Sequence, residues 1–189
     1  DIDAPRAPTP RGGVLRTGRN LGAGLRTTRG DIRITGVGGY SPSSAYSPGH
    51  GVVVGVGGAF DPTGGPSLVA VDGDIQVRGL SRTTGSGPGQ LPGAGVFLDA
   101  GVQVRTSGQG RVELTGETQG AVAGVELSPA KTYPSATPAP LAPARVDSQR
   151  DVVIRAANNG AGDAFVTGVG ASVSAAGAIN VRPGGLDAS

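Results

Sequence analysis

One short phrase recurs along this chain and restricts what it can become. It is a glycine or arginine, then polar and aliphatic residues in alternation, then Arg or Thr and often a second glycine. It reads Gly30-Asp31-Ile32-Arg33-Ile34-Thr35-Gly36, then Gly73-Asp74-Ile75-Gln76-Val77-Arg78-Gly79, then Gly110-Arg111-Val112-Glu113-Leu114-Thr115-Gly116. It returns as Arg150-Asp151-Val152-Val153-Ile154-Arg155 and as Gly177-Ala178-Ile179-Asn180-Val181-Arg182. A period of two bounded by turn residues is the pattern of a short strand with one aliphatic face and one polar face. Outward positions such as Arg33, Gln76, Glu113 and Asn180 are expected to face water.

Two further strand-like phrases precede each copy, as in Gly95-Val96-Phe97-Leu98 and Gly101-Val102-Gln103-Val104-Arg105 before Arg111–Thr115. The chain therefore reads as about five units of three short strands, within the length range of solenoid repeats. The units lie near 13–36, 51–79, 93–116, 124–156 and 164–182, with insertions rich in Gly, Pro, Ser or Ala at 37–50, 56–66, 80–93 and 128–143. Such a unit cannot bury its aliphatic face alone, but stacked units can, each strand pairing in parallel about 4.8 Å from its counterpart. The expected fold is all-β, a right-handed parallel β-helix. It forms one domain over 13–185, after an extended segment at 1–12 and before a tail at 186–189.

The composition agrees with a narrow interior. There are 36 Gly and 15 Pro, no Cys, Met or Trp, and only three Tyr and three Phe. Gly and Pro at this level also fit a disordered chain, and the periodicity of the aliphatic residues decides against that. A β-sandwich is the structural alternative, but it favours larger core residues and Asn-Gly hairpin turns. Tight corners are expected to draw on glycine and asparagine for positive φ.

The stretch Gly93–Gly116, Gly-Ala-Gly-Val-Phe-Leu-Asp-Ala-Gly-Val-Gln-Val-Arg-Thr-Ser-Gly-Gln-Gly-Arg-Val-Glu-Leu-Thr-Gly, resembles the degenerate repeats of filamentous-haemagglutinin-like and autotransporter-type adhesins. The resemblance extends from about Gly12 to Gly185. It implies a large secreted bacterial exoprotein and a shaft that holds a tip away from the cell or touches surfaces along its length. The Asn-Pro motifs of that family's secretion module do not occur, so the resemblance implies a shaft segment.

Charge narrows the partners. The net charge is +2 and all 16 basic residues except Lys131 are Arg, spread from Arg6 to Arg182 without a run. Nucleic-acid binders concentrate such charge and interleave aromatics, so none is expected as a partner. No apolar run is long enough for a membrane helix, and zero Cys removes disulfides and thiolate chemistry. The opening Asp-Ile-Asp-Ala-Pro-Arg has no leader pattern, so an exported protein would be represented here by a mature portion or by a piece of something longer.

Candidate chemistry is sparse. The single histidine, His50, lies in Tyr-Ser-Pro-Gly-His-Gly near Ser43, Ser44, Ser47 and Asp61, without a nucleophile elbow, and reads as a loop residue. Asp31, Asp74 and Asp151 hold one place in three repeats. They are either an outward ladder for a cation or turn residues capping the start of a strand. Arg111 and Ala178 in the other copies favour caps. Asn159-Gly160-Ala161-Gly162-Asp163-Ala164-Phe165 is one imperfect copy of a calcium-binding nonapeptide, which needs consecutive copies to work. Calcium is thus the only cofactor the pattern raises, and none is expected. Tyr40, Tyr46 and Tyr133 all lie in insertions, where with His50 they are candidate ligand contacts.

Two functions follow. The first is a non-enzymatic structural or adhesive segment of an extracellular bacterial surface fibre, self-associating through its ends and touching surface glycans. The alternative is a carbohydrate-binding or polysaccharide-degrading β-helix, for which paired carboxylates on an outer face would be needed.

Overall fold

The computed structural model describes residues 24–39, 49–55, 67–85, 91–130 and 141–186 in full, and the strand backbone alone at 2–3, 13–17 and 56. Among these residues there are strands and no helix, and so no helix long and apolar enough to cross a membrane. A first short strand, β1 (Ile2–Asp3), is followed by five tiers of three. The tiers are β2 (Gly13–Thr17), β3 (Gly24–Thr27) and β4 (Ile32–Gly38), then β5 (Val52–Val56), β6 (Ser67–Ala70) and β7 (Ile75–Ser81). The third is β8 (Val96–Leu98), β9 (Gln103–Thr106) and β10 (Val112–Thr118), and the fourth β11 (Val125–Leu127), β12 (Arg145–Ser148) and β13 (Val152–Asn158). The fifth is β14 (Phe165–Thr167), β15 (Ser172–Ala175) and β16 (Ile179–Pro183).

Every pairing is parallel, and each strand pairs with the strand three places along the chain. Three sheets result: sheet A in the order β1-β4-β7-β10-β13-β16, sheet B as β14-β11-β8-β5-β2, and sheet C as β15-β12-β9-β6-β3. The arrangement is compatible with a parallel β-helix, and hairpins, which a sandwich would require, do not join any described strands.

Register converts the period-two pattern into ladders. Ile34, Val77, Leu114, Ile154 and Val181 share one column of sheet A. Val52, Val96, Val125 and Phe165 form a column of sheet B, and Leu25, Leu68, Val104, Val146 and Val173 one of sheet C. In the middle tiers these side chains are fully buried and form one cluster. Each fully buried Val, Leu or Ile contributes about 1.5–3 kcal/mol, so small aliphatics suffice when they repeat.

Two expectations are corrected. Sheet A strands run past the glycines Gly36, Gly79 and Gly116, which the repeat suggested as boundaries, so Val37–Gly38 and Leu80–Ser81 are strand rather than insertion. β7 and β10 end instead at buried hydroxyls that bind the corner one tier earlier. Ser81 Oγ donates to the Gly49 carbonyl at 2.8 Å and Thr118 Oγ1 to the Gly93 carbonyl at 2.8 Å. Second, positive φ is confined among the described residues to Gly85, Gly101, Gly170 and Gly184, and no asparagine adopts it. Gly101 and Gly170 occupy the turn between sheets B and C, closed by Val102 N to Asp99 O at 3.2 Å and Ala171 N to Gly168 O at 3.0 Å. That is the third position of a type II turn, where a side chain is disfavoured. Elsewhere glycine is required by close backbone approach. A Cβ on Gly79 would overlap the Gly95 carbonyl, and one on Gly116 the Gly124 carbonyl.

Candidate functional site on the outer face of sheet A

Sheet A carries the longest strands; beside an outward column of Val37, Leu80, Glu117 and Ala157, two further outward columns carry the arginines of its strands. One is Arg33, Gln76, Glu113, Val153 and Asn180; the other is Thr35, Arg78, Thr115, Arg155 and Arg182. Arginines that are dispersed in sequence are therefore gathered on one face, because the chain returns to sheet A once per tier. The sequence shows no run of basic residues, yet the fold gathers Arg33, Arg78, Arg111, Arg155 and Arg182 on a face that also carries Asp31, Asp74, Glu113, Glu117 and Asp151.

The ion pairs are unequal. Arg33 Nη2 meets Asp31 Oδ2 at 2.9 Å, and Arg111 Nε meets Asp74 Oδ2 at 3.4 Å. Glu113 faces three guanidiniums, Arg155 at 3.6 Å and Arg78 and Arg111 at 4.0 Å each. None is within the 2.7–2.9 Å of a strong charge-assisted hydrogen bond. Glu113 was expected to face water; it points outward but is only 7% exposed, because arginines from both adjacent tiers converge on it. Beside it, Arg33, Thr35, Gln76 and Arg78 line an open depression of about 330 Å³.

The aspartates at the start of the sheet A strands act on backbone. Asp31 Oδ1 accepts from Asp74 N at 2.9 Å, Asp74 Oδ1 from Arg111 N at 2.9 Å, and Asp151 Oδ1 from Ala178 N at 2.8 Å. Each carboxylate thus ties its tier to the next, the capping role that side-chain oxygens perform at turns. Asp163 lies apart from this column. It is exposed, and its carbonyl accepts from Asn158 Nδ2 at 3.3 Å in the corner formed by the Gly-rich stretch. No group of three His, Asp or Glu placed to hold a metal ion occurs among the described residues.

His50 is a staple between tiers. Its Nδ1 accepts from Ala94 N at 2.9 Å, and its ring stacks on Phe97 with centroids 4.9 Å apart. Ala94 is fully buried, so His50→Ala would leave a buried N–H without this acceptor. The expected loss is about 1–3 kcal/mol, read as a lower urea midpoint, and His50→Phe should recover only the stacking part. An unchanged midpoint for His50→Ala would show that the contact carries no stability. The other ligand-contact candidates, Tyr40, Tyr46 and Tyr133, lie outside the described residues, as do Ser43, Ser44, Ser47 and Asp61.

The repeat alignment carried a signal for the arginine column: Arg follows the last aliphatic in Val77-Arg78, Ile154-Arg155 and Val181-Arg182. Thr115 and the burial of Glu113 had none, since both depend on what neighbouring tiers bring. Fold and site together define an all-β protein of three stacked parallel sheets with a charged, arginine-lined outer face. No protein-family model, no curated protein and no solved structure matches this chain.

Proposed function

We propose that this chain is a shaft segment of a secreted bacterial surface fibre. In this reading its three sheets close into a right-handed parallel β-helix, and its function is structural and adhesive rather than catalytic. Right-handed connection between parallel strands is the general rule. The repeats' resemblance to filamentous-haemagglutinin-like adhesins supports the same role and an extracellular setting.

The observation that carries the reading is the gradient along the ladders. Ile179 and Val181 are 48% and 52% exposed, while Ile154 and Val152, one tier below, are fully buried. Strands β14, β15 and β16 each have a single neighbour. Apolar side chains and unpaired strand edges together favour stacking of a further tier, which a second copy of this segment can supply in solution. Pro183 limits the pairing. Val152 N donates to Ala178 O and Gly184 N to Ala156 O, so alternate N–H groups, those of Ile179 and Val181, turn to the open edge, and Pro183 at the next such position has none to offer.

Light scattering across a concentration series, with negative-stain microscopy, tests this. Rods that lengthen with concentration are expected, and the double variant Ile179→Lys/Val181→Lys should abolish them while keeping a β circular-dichroism spectrum. Monomer at every concentration, or rods that persist in the double variant, would overturn end-to-end assembly.

A further inference from the structure

We propose that Asn159 is a site of spontaneous deamidation, gated by a clamp on Glu117, and that its conversion to aspartate unfastens the segment Gly184–Leu186. The inference rests on the corner after β13 and is independent of the shaft reading.

The clamp is visible as a break in the ladder. Where sheet A strands end, one hydrogen bond per tier continues the register. These are Arg82 N to Gly38 O at 3.0 Å, Gln119 N to Ser81 O at 3.2 Å and Asn159 N to Thr118 O at 2.8 Å. By the same register Leu186 N would reach Asn158 O, since Pro183 pairs with Ala156. It donates instead to Glu117 Oε2 at 3.1 Å, on a strand two tiers back. The chain leaves the ladder after Gly184, whose φ is 149°, and a Cβ on Gly185 would overlap the Glu117 carboxylate. Ala157, the register partner of Glu117 on the intervening strand, has only a methyl to place in the way.

The other carboxylate oxygen, Glu117 Oε1, accepts from Asn159 Nδ2 at 2.8 Å. Glu117 makes no ion pair among the described residues. One side chain thus fastens β10, the end of β13 and the segment after β16.

Asn159 is followed by Gly160, the one Asn-Gly pair in the chain. Glycine has no Cβ to shield its nitrogen, and its wide φ/ψ range lets that nitrogen approach the preceding side chain. Both residues are exposed, and the reaction needs only water. Gly160 N attacks Asn159 Cγ, the bond from Cγ to Nδ2 breaks, and the proton lost from Gly160 N leaves with Nδ2 as ammonia. Water then opens the cyclic imide at either carbonyl, giving aspartate or isoaspartate.

In the folded corner the reacting groups are held by different partners. Gly160 N donates to Asn158 Oδ1 at 2.7 Å, and Asn158 Nδ2 is tied to Val122 O at 2.8 Å. The Asn159 amide is drawn to Glu117. Opening the clamp frees that amide to turn toward Gly160 N. The product cannot restore the clamp: an ionised carboxylate has no N–H to donate, and it faces Glu117 as a like charge. Glu117 then moves away, and Leu186 N loses its acceptor.

Peptide mass mapping of the full chain, kept folded or in guanidinium chloride at mildly alkaline pH, tests the site. Slow conversion at Asn159 is expected in the folded chain and faster conversion in denaturant. Glu117→Ala, its fold checked by circular dichroism, should speed conversion in the folded chain about tenfold, the effect of one hydrogen bond to a charged group. Glu117→Gln keeps an acceptor without the charge and should give a smaller rise. Asn159→Asp should speed exchange of the Leu186 amide proton, followed by NMR, about tenfold. Asn159→Ala, which adds no charge, should do so less. No conversion in the folded chain, or conversion as fast folded as denatured, would overturn the gated site. So would parent rates in both Glu117 variants. Leu186 exchange that is unchanged in Asn159→Asp, or equal in Asn159→Asp and Asn159→Ala, would overturn the release.

Discussion

Gly116→Val is expected to cost about 3 kcal/mol or more and to leave most molecules without native tertiary structure. Gly116 lies inside β10, paired with Gly79 on one side and Ala156 on the other. A Cβ there would overlap the Gly124 carbonyl oxygen and crowd a methyl of Val125. The obstacle is backbone of the strand that opens sheet B in the next tier, so it cannot yield by a rotamer change. Moving it would disturb the Val96 N to Gly124 O hydrogen bond, 2.9 Å, that joins two tiers. Ala156→Gly, where the fold already accepts a Cβ, should cost only about 1 kcal/mol. Urea unfolding followed by circular dichroism measures both. A Gly116→Val protein with the parent midpoint would mean that the corner is wider than described.

Leu114→Ala should destabilise by about 2–5 kcal/mol, the range for deleting a large aliphatic from a rigid interior. Leu114 is fully buried, with Val77 and Ile154 as its column neighbours. Repeat architectures gain stability from nearest-neighbour interfaces, so a gap in a central tier weakens the contacts above and below it. Val181→Ala in the same column removes a side chain that is 52% exposed and should cost under about 1 kcal/mol. The contrast between two positions of one ladder is the diagnostic. Similar losses at both would show that the column does not share a single interior.

Much of the fold was legible because a strand's side chains alternate and the repeat marks each return to the same sheet. Ile32, Ile75, Val112 and Val152, each third in its phrase, are the residues that register places in one column. Positions 36–38 and 79–81 were misread, since glycine in a sequence suggests a turn, whereas here it permits two backbones to touch within a strand. His50 reads as a loop residue, and its part in joining two tiers follows from Phe97 and Ala94, which are distant in sequence.

The sequence by itself determined that the chain is built of short strands and which side chains turn inward. Those properties are local: they depend on a period of two, whereas the carboxylates of Asp31, Asp74 and Asp151 bind backbone N–H groups of the next tier. Only the tertiary structure decided that scattered arginines become one face, that Glu113 is enclosed among three of them, and that Thr115 is buried without a partner. Stacking brings residues some forty positions apart within about 4.8 Å. Charge and burial at that distance are properties of the neighbours a residue acquires, and the order of residues along the chain does not display them.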